Sequence, residues 1–382
     1  MKRRDLLRVV GAGAAAAAWS GRAPVCAAAE PTSSDHTVRL SGDGVGLTPR
    51  AYAQLLAQLC ERAAVEEDGY LLGGTIERFE REWAALLGKE TAVFMPSGTL
   101  ANQLALRALA GGRRRVIVPE MSHVYNDTGD ACQTLSGLTL MPLGPNAATF
   151  TVADIDAVLT RTAGGRVATD VGAILIESPI RRLTGEMFDW GEMKRIAAFA
   201  REKRIGLHLD GARLFIASAY TGISPAEYAA HFDTVYVSLW KYFNSGIGAV
   251  LAGPRSVLDG MFHTRRMFGG NLAVGWPAAV VARHYMDGYL DRMRTAIRVS
   301  EDFYDRIAKH PIVRVESIPN GTNLRHVTLK GVDAAMMRQR LMAKGLLMPQ
   351  AAASGMLTLG VNETWNRMPA EALAREFLSA IS

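Results

Sequence analysis

The sequence predicts an α/β protein with a large domain on a mostly parallel sheet and a smaller C-terminal α/β domain. Short apolar runs rich in β-branched residues alternate with helical segments through the first 275 of its 382 residues. Two of these runs and a capped helix between them form a β-α-β pattern over residues 205–253, a unit that is normally parallel and right-handed. A long helical region over about 277–309 then separates this part from a second group of strands, predicted at 313–317, 324–329 and 356–361.

Local signals set the expected bounds of the other elements. Thr48 and Pro49 predict an amphipathic helix that reaches about residue 64. Gly88 is expected to end a helix over 76–87, and a last helix starts at Pro369. The predicted strands of the large domain are 91–95, 116–119, 173–177, 205–209, 234–240 and 246–252. The predicted helices among them are 100–109, 192–202 and one opened by Ser224-Pro225.

The β-α-β unit brings an acid and an amine to one edge of the predicted sheet. Asp210 follows the first strand and Lys241 follows the second, and open α/β sheets build their sites at the carboxyl ends of strands. A lysine there can form a Schiff base with pyridoxal phosphate, while an aspartate keeps the pyridine nitrogen protonated. The alternative is structural, with Asp210 capping a turn and Lys241 solvated or paired at a strand end.

Two further stretches at strand ends suit the same chemistry. Ser97-Gly98-Thr99 is a small-residue turn that opens a helix, where free amides and the helix dipole favour a phosphate. Alone, such a turn is often only a helix cap. His123 follows the next strand, where its flat imidazole could stack on a cofactor ring, although a single histidine is usually structural or exposed.

The first 29 residues are expected to be an export signal. Lys2-Arg3-Arg4 leads into two leucines, an Ala-rich apolar stretch follows, and Ala27-Ala28-Ala29 is a plausible cleavage site. About eleven apolar residues are too few to span a bilayer. This pattern predicts twin-arginine export to the periplasm or the exterior. The expected organisation is a signal at 1–29, an arm and helix at 30–60, a cofactor-binding large domain at 61–275 and a small domain at 276–382.

Composition narrows the class of partner. The formal net charge of +6 would fall to +2 on removal of residues 1–29, and no basic patch indicates nucleic acid. No metal site is assigned. Only Cys60 and Cys132 would remain after processing, and whether they pair is left open.

A set of motifs, taken in order, strongly resembles the threonine aldolase/β-eliminating lyase group of fold-type-I pyridoxal-phosphate enzymes. The motifs are S-G-T-x-A-N-Q from Ser97, S-H at His123, L-H-x-D-G-A-R from Leu207 to Arg213, S-L-x-K ending at Lys241, and a later G-G. The resemblance covers residues 38–275 and extends more weakly through the small domain. It implies a transferase-like fold of this type, pyridoxal 5'-phosphate as cofactor, an amino acid substrate and a homodimer or homotetramer.

The resemblance also implies roles for individual residues. Lys241 would carry the cofactor, Asp210 would hold its ring nitrogen and His123 would stack on its ring. Ser97-Gly98-Thr99 would hold the phosphate. Arg213 would reach the substrate carboxylate with its planar guanidinium, with Ser41 nearby.

Two stretches depart from the family pattern. Threonine aldolases usually carry an Asn-Thr-His-Asn type stretch after the strand that ends at Glu177, whereas this chain has Ser178-Pro179-Ile180-Arg181-Arg182. A carboxylate-binding arginine is also expected on the strand at 356–361, where this chain reads Met356-Leu357-Thr358-Leu359-Gly360. These departures place the chain in a divergent branch with altered substrate recognition.

The expected activity is cleavage of the Cα–Cβ bond of a β-hydroxy-α-amino acid to glycine and an aldehyde. The proton of the β-hydroxyl would pass to His123 or to a bound water. One alternative keeps the cofactor but changes the bond broken, as in a β-eliminating lyase or a racemase. A second alternative is an exported binding protein with a degenerate cofactor site. A dinucleotide-binding dehydrogenase is disfavoured, because no G-x-G-x-x-G follows a predicted strand.

Overall fold

A computed structural model of the chain describes residues 36–381. The expected signal at 1–29 therefore lies outside the described residues. The strands are β1 (Val38–Arg39), β2 (Thr91–Met95), β3 (Arg115–Pro119), β4 (Thr139–Leu143), β5 (Val171–Glu177), β6 (Gly206–Asp210), β7 (Thr234–Ser238), β8 (Ala249–Gly253), β9 (Val313–Ser317), β10 (Leu324–Leu329), β11 (Leu346–Leu347) and β12 (Met356–Gly360).

The helices lie between and after these strands. They are α1 (Pro49–Arg62), α2 (Gly74–Leu86), α3 (Gly98–Ala110), α4 (His123–Asn126), α5 (Ala131–Ser136), α6 (Val152–Ala163), α7 (Trp190–Lys203), α8 (Leu214–Thr221), α9 (Pro225–Ala229), α10 (Arg255–Leu258), α11 (Met261–Met267), α12 (Trp276–Met286), α13 (Tyr289–Ile307), α14 (Ala334–Ala343) and α15 (Ala370–Ser379). Short 3₁₀ helices add Arg181–Leu183 and Glu363–Arg367.

Seven strands form the central sheet in the order β2-β8-β7-β6-β5-β3-β4. All neighbouring pairs are parallel except those of β8, which runs antiparallel to both β2 and β7. The prediction of a mostly parallel sheet is confirmed, as is the parallel pairing of the two strands in the β-α-β unit. Strands β5, β7 and β8 are buried along their whole length, which fits their continuous apolar sequences.

The C-terminal part holds an antiparallel sheet in the order β12-β10-β9. The N-terminal strand β1 pairs with β11 of this part, so the arm is joined to the C-terminal region through backbone hydrogen bonds. Asn362 reinforces this junction, because its side-chain amide donates to the carbonyls of Arg39 and Gly42 at 3.1 Å.

Three differences from the predicted elements have local causes. The helical region after residue 276 is two helices, because Gly288 adopts a left-handed conformation (φ 67°) between α12 and α13. Strand β8 starts at Ala249 and not at Gly246, since Gly246 and Gly248 have positive φ values. Strand β4 is not predicted from the sequence, because it is a partly exposed edge strand that contains Pro142.

The register of the central sheet places polar residues side by side at its carboxyl edge. Glu177, the last residue of β5, lies opposite Asp210, the last residue of β6, and Asp210 lies opposite Tyr236 of β7. Lys241 follows the end of β7 by three residues. The two residues singled out from sequence thus emerge at the same edge of the sheet.

The structure also bears on cysteine pairing and on membrane-spanning helices. Cys60 is exposed and Cys132 is buried, and both are free thiols. Within residues 36–381, no helix is both long enough and apolar enough to cross a bilayer.

Candidate active site

Asp210 is the most enclosed charged group at the carboxyl edge of the sheet, with 1% of its surface exposed. Its Oδ2 accepts a 2.6 Å hydrogen bond from the side-chain amide of Asn102 on α3. Its Oδ1 accepts a 3.1 Å bond from the backbone N–H of Ala212. These two donors hold the carboxyl group in place, in a position where it could bind a protonated ring nitrogen.

Lys241 lies in the turn after β7, packed against its neighbours. Its Nζ is 3.5 Å from Ser238 Oγ and 4.6 Å from the centre of the Trp240 ring. Burial, and then the nearby Arg213 guanidinium, lower the pKa of the Lys241 ammonium to about 8. A larger fraction of this amine is therefore unprotonated near neutral pH than for an ordinary lysine, which suits a nucleophile.

The turn at Ser97-Gly98-Thr99 caps α3 as expected. Ser97 Oγ accepts a 3.3 Å hydrogen bond from Leu100 N, and the helix begins at Gly98. A Cβ at Gly98 would lie 1.9 Å from the hydroxyl of Tyr236, so only glycine fits against this β7 side chain. The close packing leaves the first amides of α3 at the same strand edge as Lys241, where a phosphate would be bound.

His123 begins α4 and is anchored through its backbone. Its N–H donates to Oε2 of Glu177 at 2.5 Å, while its Nδ1 lies 3.5 Å from Oδ2 of Asp127. Glu177 is buried, and this burial together with the neighbouring Asp210 carboxylate raises its pKa. The structure therefore brings His123 to the edge occupied by Asp210, and it adds a second buried carboxyl group that the sequence reading had not assigned.

Arg213 contacts an internal carboxylate. Its Nη2 is 2.8 Å and its Nε 3.2 Å from the two carboxylate oxygens of Asp43, and both side chains are largely buried. Asp43 belongs to the loop after β1 that also contains Ser41, which is half-buried. This loop packs on the lysine turn, since Val45 N donates to Asn244 Oδ1 at 2.9 Å. The loop that carries Ser41 and Asp43 therefore lies against the lysine turn, and Asp43 links it to Arg213.

The divergent loop after β5 is held by charge. Arg182 contacts both oxygens of Asp127 (Nη2–Oδ1 2.7 Å and Nε–Oδ2 3.2 Å), and Arg181 contacts Oδ2 at 3.0 Å. These hydrogen bonds lower the pKa of Asp127, with Arg182 as the largest cause. Because Asp127 also approaches His123, the loop that replaces the family's usual stretch is tied to the helix of the expected stacking histidine.

In the C-terminal part, the strand expected to carry a carboxylate-binding arginine is β12, and its residues are Met356-Leu357-Thr358-Leu359-Gly360. The buried Asn362, just after this strand, reaches the N-terminal loop. It binds backbone carbonyls and carries no charge. Strand β12 thus contains no arginine, and altered substrate recognition stays a prediction.

Sequence reasoning missed several polar residues of the site, although most lie inside motifs that it had recognised. Asn102 is the N of S-G-T-x-A-N-Q, His208 is the H of L-H-x-D, and Ser238 is the S of S-L-x-K. Asp43 and Glu177 had no such signal, because their partners come from distant parts of the chain.

The donor set fits pyridoxal phosphate. A buried carboxylate lies at one strand end, an amine with a lowered pKa follows the next, and a glycine turn opens a helix beside them. Residues 50–330 match the model of the β-eliminating lyase family. The chain belongs to that family. Its members are pyridoxal-phosphate-dependent enzymes.

Individual relatives agree with this assignment. The chain is 31% identical over 259 residues to a low-specificity L-threonine aldolase of Candida albicans, covering 67% of this chain and 68% of the relative. It is also 31% identical over 213 residues to an alanine racemase of Cochliobolus carbonum, covering 55% and 53% of the two chains. A crystal structure from Exiguobacterium sp. 255-15, provisionally named an aromatic amino acid β-eliminating lyase/threonine aldolase, superposes with a TM-score of 0.77 at 27% identity. It covers 91% of this chain and 97% of that one.

Proposed function

We propose that the protein is a pyridoxal-phosphate-dependent aldehyde-lyase that cleaves the Cα–Cβ bond of a β-hydroxy-α-amino acid to glycine and an aldehyde. The observation that carries this proposal is the position of Asp210 and Lys241 at the ends of neighbouring parallel strands. It is supported by similarity to a threonine aldolase over 67% of this chain. When bound, the cofactor would draw electrons from the substrate's α-carbon. The protein's own groups then have separate tasks.

On the cofactor side, Lys241 Nζ would supply the amine that holds the cofactor aldehyde, and the Asp210 carboxylate would keep the proton on its ring nitrogen. The amides at Ser97-Gly98-Thr99 would bind the phosphate, and the His123 imidazole would lie against the ring. All four groups lie where a strand of the central sheet ends or the next helix begins, which supports these assignments.

On the substrate side, Arg213 would hold the α-carboxylate, with the Ser41 loop beside it. Cleavage needs the β-hydroxyl proton to be removed; the Cα–Cβ bond then breaks, and the α-carbon takes a proton to give glycine. His123 or a bound water could accept the hydroxyl proton.

A screen of substrates with the coloured holoenzyme tests this proposal. We expect the purified protein to be yellow and borohydride to fix the cofactor mass on the peptide that contains Lys241. Release of glycine and an aldehyde from β-hydroxy-α-amino acids would support the lyase. Keto acid and ammonia would indicate β-elimination instead, and a colourless protein that gains no cofactor mass would favour a binding protein.

A racemase is the second candidate, because one relative of equal identity is an alanine racemase. The substrate side gives a physical reason to test it. Arg213 is already paired with Asp43, and β12 carries no arginine, so a substrate here has fewer cationic contacts than the family pattern implies. Incubation of D- or L-alanine in deuterated water, followed by chiral chromatography, distinguishes racemisation from cleavage.

We also propose that the enzyme acts as a homodimer or homotetramer. The lysine turn exposes Trp240 and Ile247. Two other segments of the chain, linked by the hydrogen bond from Tyr70 N to Ala273 O, expose Tyr70 and Val274. Large apolar side chains beside a site favour burial by another subunit. Sedimentation of the holoenzyme would test this, and a monomer at working concentration would contradict it.

Finally, we propose export by the twin-arginine route to the periplasm or the exterior. The support is the Lys2-Arg3-Arg4 pattern with its apolar stretch and alanine cleavage site. A mature protein that begins near residue 30 in the exported fraction is expected, and loss of export on replacing Arg3 and Arg4 by Lys would tie it to that route. Retention of the full chain in the cytoplasm would contradict the proposal.

A further inference from the structure

A chain of buried polar side chains runs beneath Asp210. Thr234 Oγ1 is 2.8 Å from His208 Nδ1, His208 Nε2 is 2.9 Å from Asn102 Oδ1, and Asn102 Nδ2 is 2.6 Å from Asp210 Oδ2. The side chains come from β7, β6 and α3, and all four are almost completely inaccessible to solvent. Hydrogen bonds in such surroundings are strong, and a missing partner is costly.

The direction of each hydrogen bond follows from Asp210. An ionised carboxylate only accepts, so the amide group of Asn102 must face it and the amide oxygen must face His208. That oxygen also only accepts, so His208 Nε2 carries a proton. In the neutral imidazole Nδ1 is then the acceptor, and the Thr234 hydroxyl donates to it. Every donor in the chain points toward the carboxylate.

The imidazole is held in its neutral form. Burial lowers the pKa of His208 to about 3, because a charged ring would lose its hydration. Asn102 has no titratable group. Both Asn102 and His208 are therefore neutral at physiological pH, and they act on Asp210 through hydrogen bonds and not through charge.

We propose that Asn102 and His208 are positioning residues that fix the Asp210 carboxylate in the orientation that holds the proton on the cofactor's ring nitrogen. The proposal depends on the cofactor and not on the identity of the substrate. A failed substrate screen would therefore leave it standing, and its own failure would leave the lyase activity open.

The test compares three variants of the holoenzyme. His208→Leu removes the donor to Asn102, whereas His208→Gln keeps one, since a glutamine amide can replace Nε2. Gln103→Leu is the control, because Gln103 is a buried amide on the same helix that bonds to Ser136 Oγ at 3.2 Å and has no link to Asp210. The readouts are the cofactor dissociation constant and the pH dependence of the cofactor's absorption band. The other titratable groups that act on Asp210 are Glu177, Tyr236 and Lys241, and they remain unchanged.

We expect His208→Leu to weaken cofactor binding by up to about tenfold, the scale of one buried hydrogen bond between neutral groups, and to shift the pH midpoint of the absorption band. His208→Gln should stay close to the parent protein, and Gln103→Leu should change stability alone. Equal dissociation constants and midpoints for His208→Leu and the parent would overturn the proposal, as would equal effects in Gln103→Leu. If His208→Leu does not fold, Thr234→Val serves in its place. A smaller shift in the same direction is then expected, and no shift overturns the proposal.

Discussion

The cofactor side and the substrate side of this site differ in their secondary structure and in the kind of polar contact that holds them. On the cofactor side, Asp210, Asn102 and His208 lie on regular elements, and their polar atoms are paired in the interior. On the substrate side, the contacts are ion pairs that involve loops, of which the Arg213–Asp43 pair is largely buried and the pairs of the divergent loop are partly exposed. The side chains of Arg181 and Arg182 there are 56% and 38% exposed.

This difference explains why the class of reaction is easier to predict from the sequence than the substrate. A buried polar group without a partner costs free energy, so residues of the cofactor side constrain one another. Exposed ion pairs contribute little and tolerate rearrangement. Loops such as 178–187 can therefore change recognition while the strand ends keep the same chemistry.

The largest expected effect is on the cofactor side. Lys241→Ala should reduce turnover by at least about a thousandfold, because it removes the amine that holds the cofactor in place for reaction. Steady-state kinetics and mass spectrometry after borohydride treatment would measure this. Lys203→Ala, an exposed lysine paired with Glu202, is the control and should keep full activity. Unchanged turnover in Lys241→Ala would remove the covalent mechanism.

The fold was predictable wherever residues signal their own structure. Thr48-Pro49 and Ser224-Pro225 open helices as predicted, and 91–95 is a strand with the predicted bounds. The misses occur where the local sequence is ambiguous. The partly exposed edge strand β4 carries a proline, and a left-handed glycine divides one expected helical region into two.

In the candidate site, the positions of Asp210 and Lys241 were predictable, but several contacts between distant residues were not. Asp210 and Lys241 were found because the order of strands brings their ends together, which a linear pattern reveals. The pairing of Arg213 with Asp43 could not be read, because these residues are 170 positions apart and their contact depends on how the N-terminal loop folds back. The hydrogen bond between Glu177 and the backbone of His123 was hidden for the same reason.

On the substrate side, Arg213→Lys should raise KM by roughly ten- to a hundredfold and change kcat much less. Lysine keeps the charge but loses the planar fork that holds both Asp43 and a carboxylate. Arg314→Lys on β9, where the exposed arginine pairs with Glu316, is the matched control. An equal loss of kcat, with KM unchanged, would show that Arg213 acts on the reacting bond and not on substrate binding.

The pH dependence of cofactor uptake links the two sides. With its pKa lowered to about 8, Lys241 is about one tenth unprotonated at pH 7, against well under a thousandth for an ordinary lysine. Uptake by the apoprotein, followed by absorbance, should therefore rise about tenfold between pH 7 and 9 and then level off. The folded apoprotein binds fewer protons than the unfolded chain between about pH 8 and 10.5, so this group should make stability rise over that window.

The same titration tests the electrostatic part of that shift. Arg213 is the second cause of the lowered pKa, so Arg213→Gln should move the uptake midpoint to higher pH. Burial, the largest cause, remains, so the midpoint should stay below 10.5. A midpoint near 10.5 in the parent protein would show that Lys241 is solvated in the apoprotein, contrary to its packing.

The smallest expected effect concerns the divergent loop. Arg181→Gln or Arg182→Gln alone should change the free energy of unfolding by less than about 1 kcal/mol, because these side chains are partly exposed and Asp127 keeps one partner. The double variant should cost more than the sum of the singles, since Asp127 then loses both. Denaturant unfolding measures the cycle. Additive values would mean that the two arginines act independently, and the loop would then be fixed by the hydrogen bond from Arg181 N to Glu177 and not by the shared carboxylate.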